Sequence, residues 1–310
     1  MGTATFSVES GATLTGTATQ LSGKTASGAG TTAVTALHST AAADLSNLTT
    51  TSVTAAFAGT ATMNGAKFGT AAISITDGTL TVGTATIGTA TFNVSASKTL
   101  TGTAAKLTGR TVTGAGTTAV TALQDDTDSD LSNIASTSVT ANYASGNNTM
   151  DSAKFGSAVI TIASGNMTIG TADTGTATFS VSSGATLNGT AAKLTGITVS
   201  GDGNTTVTAL SDTPAAALVG ITSTGTLSVS TAADVSDFTG TLPAEDCTLS
   251  GGSFTVSGNA FTTGKTYTVN STDSLTAPAA RLNGKTIAGT GDVTVTALNA
   301  STAADLSNIT

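Results

Sequence analysis

An all-β fold, a parallel β-solenoid with rungs of about 20 residues and short helical turns at its corners, is what this sequence predicts. Three observations predict it. A phrase recurs: Gly2-Thr-Ala-Thr-Phe6-Ser-Val8 returns as Gly88-Thr-Ala-Thr-Phe92-Asn-Val94, as Gly175-Thr-Ala-Thr-Phe179-Ser-Val181 and, more loosely, as Gly264-Lys-Thr-Tyr267-Thr-Val269, the starts lying 86, 87 and 89 residues apart. Inside that period runs a shorter rhythm of strand-like apolar positions. Leu14, Val34, Val53, Ile73 and Val94 are separated by 20, 19, 20 and 21 residues, and Leu100, Val120, Val139 and Ile160 by 20, 19 and 21. The composition agrees: only 3 Pro among 310 residues, with β-branched Thr and Val abundant, favours ordered strands over a disordered stalk. A fixed period means stacked units sharing one core, with function spread along a surface.

The elements follow in order. Four repeats span 2–87, 88–174, 175–263 and 264–310, as one continuous solenoid. Each long period holds about four rungs. Short alternations such as Ala90-Thr-Phe92-Asn-Val94 and Ile160-Thr-Ile162 supply strands with apolar residues inward and Thr or Ser outward. Thr103-Ala-Ala-Lys-Leu-Thr-Gly109 recurs at 190–196, with variants at 17–23 and 276–284. It reads as one helical turn at a corner, with Thr capping, Gly ending it and Pro278 in the first turn of the last variant. A second word, Asp44-Leu45-Ser-Asn47-Leu48, returns as Asp130-Leu-Ser-Asn133-Ile134 and Asp305-Leu-Ser-Asn308-Ile309, and more loosely as Asp234-Val-Ser-Asp237-Phe238 after Thr231. It reads as a short turn with the apolar pair packed inward and Asp and Asn satisfying loose backbone donors. The second half of the third repeat, 211–263, diverges, bringing Pro214, Pro243, Glu245, Asp246 and Cys247. About 15 rungs at ~4.8 Å would stack to roughly 70 Å. The alternative is a tandem array of immunoglobulin-like sandwiches, whose repeat length is close. The missing Trp and the half repeat at the end weigh against it. Met1 directly before a repeat and Thr310 inside one lead us to expect a segment of a longer protein without a leader, or a subunit whose open ends meet neighbouring copies.

Composition excludes several function classes. Charged residues make up 9%, against about 25% in a typical domain. Net charge is -8 with 10 basic residues and no basic run, so nucleic-acid binding, which needs a positive stripe, is not expected. No apolar stretch approaches a membrane-spanning length. Cys247 is the one cysteine, which rules out an internal disulfide and reads as a small buried residue.

The run Leu100-Thr-Gly-Thr-Ala-Ala-Lys-Leu-Thr-Gly109, followed by Val112-Thr-Gly-Ala-Gly116 and Val120-Thr-Ala-Leu123, resembles large repetitive bacterial surface proteins, namely S-layer proteins and giant type I-secreted adhesins. The likeness covers nearly the whole chain as a style of repeat. It implies secretion, assembly at the bacterial cell surface and a scaffold or adhesive role. The calcium motif of that group, Gly-Gly-x-Gly-x-Asp, does not occur here.

No catalytic constellation stands out. His38 is the one histidine and lies in a polar turn whose counterparts are Gln124, Ser211 and Asn299. Gly23-Lys24-Thr25 and Gly284-Lys285-Thr286 lack the first glycine of a phosphate-binding loop. The densest acidic cluster, Asp125, Asp126, Asp128 and Asp130, offers hard oxygen ligands and is the candidate Ca²⁺ site, set against a plain solvated turn; Asp202, Asp292, Glu245 and Asp246 are weaker candidates. No other cofactor is expected. Thr-x-Thr pairs such as Thr111/Thr113 and Thr206/Thr208 read as hydroxyl ladders between rungs. The sequence therefore points to a non-enzymatic structural component of an extracellular fibre, sheath or surface layer. Its partner would be itself, head-to-tail or laterally, or further repeats of a longer chain. The alternative is an adhesin or stalk segment that binds a cell-surface or carbohydrate ligand.

Overall fold

The structure, a computed structural model, describes residues 4–211, 216–231, 234–299 and 303–310. Half of the chain is strand and 7% helix, wound as a parallel β-solenoid of about 15 turns. Every strand pair given for the described residues is parallel, which removes the sandwich alternative, since sandwiches pair antiparallel. Pro214 and the Ala232-Ala233 pair of the loose Asp234 word lie outside the described residues, as do Gly2 and Thr3 of the first phrase.

The chain divides into two compact units, Met1–Asn142 with Ala153–Val159 and Tyr143–Ser152 with Ile160–Thr310. In the first, one ladder passes through Thr5–Ser7, Thr25–Thr35, Leu48–Thr62, Ala72–Thr81, Thr91–Val94 and Val112–Thr121. Successive partners Phe6, Ala26 and Leu48, then Asp44, Lys67 and Thr86, are 20, 22, 23 and 19 residues apart, so four rungs make one long repeat. In the second unit an eight-stranded ladder runs from Asn147–Met150 through Asn166–Ile169, Thr186–Thr190, Asn204–Leu210, Leu227–Thr231, Cys247–Ser250 and Thr266–Val269 to Thr286–Gly289. A four-stranded one joins Val235–Phe238, Ser253–Val256, Ser274–Pro278 and Asp292–Thr296.

Alternation builds the core. In Ala72–Thr81, Ile73 and Ile75 are buried while Ala72, Ser74 and Thr76 face water. The aromatic of the repeated phrase is interior in Phe92, Phe179 and Tyr267, and half-buried in Phe6. Tyr267 takes the place of a Phe because its hydroxyl finds partners, donating to the Pro243 carbonyl at 3.1 Å and accepting from the Thr262 amide at 2.8 Å.

The expected corner turns are there as α1 (Ala18–Leu21), α2 (Ala104–Leu107), α3 (Ala191–Leu194) and α4 (Ala279–Leu282), each burying its first Ala and its Leu. Capping varies among them. Thr17 and Gln20 close a reciprocal capping box, Thr190 accepts from the Lys193 amide, and Thr103 makes no side-chain cap. Pro278 stands just before α4, at the cap position, and not in its first turn.

One expectation about threonine needs correcting. Thr32, Thr118 and Thr205, at the same place in three repeats, point into the core. Each pairs with a hydroxyl one rung on: Thr50 at 2.9 Å, Ser136 at 2.8 Å and Ser223 at 2.8 Å. Thr50 and Ser136 pass a hydrogen bond onward to the Ser52 and Ser138 carbonyls, so the buried group is a satisfied chain. Beside these pairs the ladder shifts register, between Gly28 and Thr31 and between Gly114 and Thr117.

Ser129 is the opposite case. It is fully buried and its hydroxyl has no partner, whereas the matching residue in the first repeat is Ala43, equally buried. A buried hydroxyl without a hydrogen bond costs about 1–3 kcal/mol. Ser129→Ala is therefore expected to stabilise the protein by about 1 kcal/mol, read as a higher urea midpoint; a loss of stability would show that the hydroxyl is satisfied.

Candidate functional site

The repeated Asp-Leu-Ser-Asn word forms an organised polar cluster at the surface. Leu45 and Leu48, and Leu131 and Ile134, are buried and anchor the turn. The flanking Asp is thereby held at the edge of its rung. Asp130 Oδ1 accepts from the Ser132 amide at 3.0 Å and from its hydroxyl at 2.5 Å, while Oδ2 pairs with Lys154 Nζ at 3.0 Å. Asp44 repeats this with Ser46 at 3.0 and 2.5 Å and Lys67 at 2.8 Å. The Asp amides donate backward, to Thr108 Oγ1 at 2.8 Å and Ser22 Oγ at 2.9 Å. Each Asp thus ties three consecutive rungs. Asp305 makes the same two bonds to Ser307 and donates to Asn283 Oδ1.

Lysine is the partner that sequence reading missed. The available signal was spacing, since Lys67 and Lys154 follow their aspartates by 23 and 24 residues, one rung. The cation of the corner turn was missed for the same reason. Lys106 Nζ donates to the Ala85 carbonyl at 2.7 Å, Lys193 Nζ to Thr171 and Ala172 carbonyls at 3.1 and 2.6 Å, and Arg281 Nε to Ser257 O at 2.9 Å, each reaching one rung back.

The four carboxylates proposed for Ca²⁺ are placed unequally. Asp125 ends the one-turn helix Leu123–Asp125, Asp125 and Asp128 are exposed, and Asp126 is half-buried. Asp130 is engaged in the clasp just described. Among the described residues no three His, Cys, Asp or Glu side chains come together as a metal's ligand set would. Of the weaker candidates, Asp202 accepts from Thr224 Oγ1 at 3.0 Å, Asp246 accepts from the Thr266 amide at 2.7 Å and Glu245 pairs with Lys265.

Electrostatics follow from these contacts. Bonds from the Ser132 hydroxyl, against partial burial, and from Lys154 hold the Asp130 carboxyl below its ordinary value of 3.8. For Asp44 burial pulls upward, but bonds from Lys67 and Ser46 outweigh it and the carboxyl is again lowered. Asp77, bonded to Lys98, is lowered as well. A carboxyl lowered on folding contributes stability that is complete above the unfolded value and is lost as pH falls through the folded one. Urea midpoints are therefore expected to hold from pH 7 to about 4 and to fall below that. The Asp44 and Asp130 pairs lie at the surface and are each worth at most about 1 kcal/mol. Asp44→Asn with Asp130→Asn should flatten the profile below pH 4; an unchanged profile would rule out the clasps as its source.

A depression of about 150 Å³ in the first unit is lined by Ile73, Ser74, Phe92, Asn93 and Thr113, and one of about 170 Å³ in the second by Thr226, Asp246, Cys247 and Thr268. His38 lies on the surface, edge-on to Phe57 at 6.1 Å. Cys247 is 4% exposed, and burial, with the Asp246 charge, pushes its thiol up to about 12, so it carries no thiolate at neutral pH. Among the described residues no helix is long and apolar enough to cross a membrane. No protein-family model, curated protein or solved structure matches the chain. The fold and clasps define it as a repetitive parallel β-solenoid protein.

Proposed function

We propose that this chain is a non-enzymatic structural component of an extracellular fibre, sheath or surface layer. The observation that carries this reading is where the polar side chains are engaged. The ion pairs Asp44–Lys67, Asp77–Lys98, Asp130–Lys154 and Glu245–Lys265 each join neighbouring rungs. Hydroxyls do the same, as in Thr35 to Gly16 O, Thr121 to Gly102 O and Thr208 to Gly189 O. Groups that an enzyme would converge on a substrate here tie the stack to itself. A parallel rung offers the same hydrogen-bonding pattern at each of its edges, so stacking extends head to tail, with further rungs supplied by a longer chain or a second copy. Secretion and a bacterial cell-surface location belong to the same proposal and rest on the repeat style noted above. Negative-stain electron microscopy of the purified chain tests it. Filaments of uniform width are the expected result; isolated short particles at all concentrations would count against self-assembly. Parallel grids with EDTA decide whether Ca²⁺ contributes, dissolution meaning that it does.

One observation favours a second reading, an adhesin with its contact in the third repeat. There the clasp residues are replaced, and Val219 is 54% exposed. If Val219→Asp abolished binding to cells or to immobilised carbohydrate while filaments persisted, the adhesin reading would stand.

A further inference from the structure

The third repeat has kept the backbone of the clasp and lost its chemistry. Three backbone bonds define the place. Gly23 N donates to Asp44 O at 2.8 Å, Gly109 N to Asp130 O at 2.7 Å and Gly196 N to Ala217 O at 2.8 Å. Leu45 N, Leu131 N and Leu218 N donate to Lys67 O, Lys154 O and Thr241 O at 2.7, 2.7 and 3.0 Å. Lys67 N, Lys154 N and Thr241 N return to Ala43 O, Ser129 O and Ala216 O at 2.9, 2.9 and 2.8 Å. The true counterpart of Asp44-Leu-Ser-Asn47 is therefore Ala217-Leu-Val-Gly220, and the loose word at 234–238 is no copy of it. Its Val235–Phe238 is a strand, paired with Ser253–Val256.

All three side chains of the clasp have changed together. Asp has become Ala217, Ser has become Val219 and Lys has become Thr241, although the last is 24 residues away from the first. Losing one partner alone would strand a charge; losing all three leaves a neutral joint. Among the described residues no side chain replaces the lost bonds. Thr241 Oγ1 is buried without a partner, and Val219 stands in water where a serine closes the turn elsewhere.

We infer that Ala217, Val219 and Thr241 form a weak seam between rungs, at which the solenoid opens locally more readily than at the matching joints of the first and second repeats. Local opening draws on regions with few side-chain ties, and the backbone bonds here are otherwise the same. Opening frees the Leu218 amide and the Thr241 carbonyl, sheet-edge groups able to take up a strand from another chain.

Native-state hydrogen exchange on the full chain tests this, because the repeats supply matched amides. Protection of Gly196, Leu218 and Thr241 is expected to be about tenfold or more below that of Gly109, Leu131 and Lys154. Rebuilding the clasp with Ala217→Asp, Val219→Ser and Thr241→Lys should bring the third repeat up to the level of the second. Transplanting the seam, with Asp130→Ala, Ser132→Val and Lys154→Thr, should lower protection at Leu131 about tenfold. Equal protection of the matched amides in the natural chain would overturn the inference. So would a folded rebuilt variant, or a transplant, that left exchange unchanged.

Discussion

Gly114→Ala is expected to destabilise the protein by about 2–6 kcal/mol, the sum of a strained backbone at roughly 1–3 and overpacking at roughly 1–3. Gly114 has φ of 110°, and a Cβ there would lie 2.2 Å from the carbonyl oxygen of Val94 and 2.8 Å from its nitrogen. Both are backbone atoms of the preceding rung, so nothing flexible can move aside. Parting of the rungs is opposed as well, because Thr117 N donates to Lys98 O at 2.9 Å across the same joint. Gly109 separates the two causes. Its φ is 65° and nothing lies within 4 Å of its would-be Cβ, so Gly109→Ala should cost only the left-handed penalty of about 1–2 kcal/mol. Urea midpoints of the two variants decide the matter. Equal losses would mean that φ alone matters and that the close approach of rungs does not.

Phe92→Ala should cost about 3–5 kcal/mol, the range for emptying a full aromatic site in a core that cannot collapse. Phe92 is 2% exposed, lies between Ile73 and Val112 in the ladder and meets Phe68 edge-on at 6.2 Å. The rungs on both sides are fixed by backbone bonds, so the cavity persists. Phe6 heads the same phrase but is half-buried, and Phe6→Ala should cost about 1–2 kcal/mol. If the two variants lost the same stability, burial would not be what the repeated aromatic supplies.

The rung period is legible in the sequence, and the register is not. Leu14, Val34, Val53 and Ile73 follow one another at one rung, but Leu14 and Val53 both pair with Thr32, and Val34 pairs with Ala55. The inward place beside Val34 is taken by a threonine, which alternation assigns to the outside. Only the hydroxyl one rung later makes that burial tolerable, and a partner 18 residues away leaves no local trace. The corner turns are legible because α1 to α4 keep small and apolar residues at fixed places. The Asp turn is legible where its letters persist. In the third repeat every polar letter has changed, so Ala217-Leu-Val-Gly220 is invisible, while Asp234-Val-Ser imitates the word where a strand begins at Val235. Of the candidate metal residues, Asp130 stood out for its charge. Its role comes from Lys154, which looks like any surface lysine until the rungs are stacked.

The spacing of partners at about one rung also bears on how such a chain folds. Each new rung closes a loop of some 20 residues, and closure entropy grows only with the logarithm of loop length. Every addition therefore costs about the same, whether it is the third turn or the tenth. Lengthening the chain leaves the absolute separation of contacts unchanged and lowers the relative contact order. Growth can start at any well-tied joint and spread from neighbour to neighbour. A β-protein of this size, which would fold slowly if its strands had to find distant partners, instead has a search problem no larger than that of one turn.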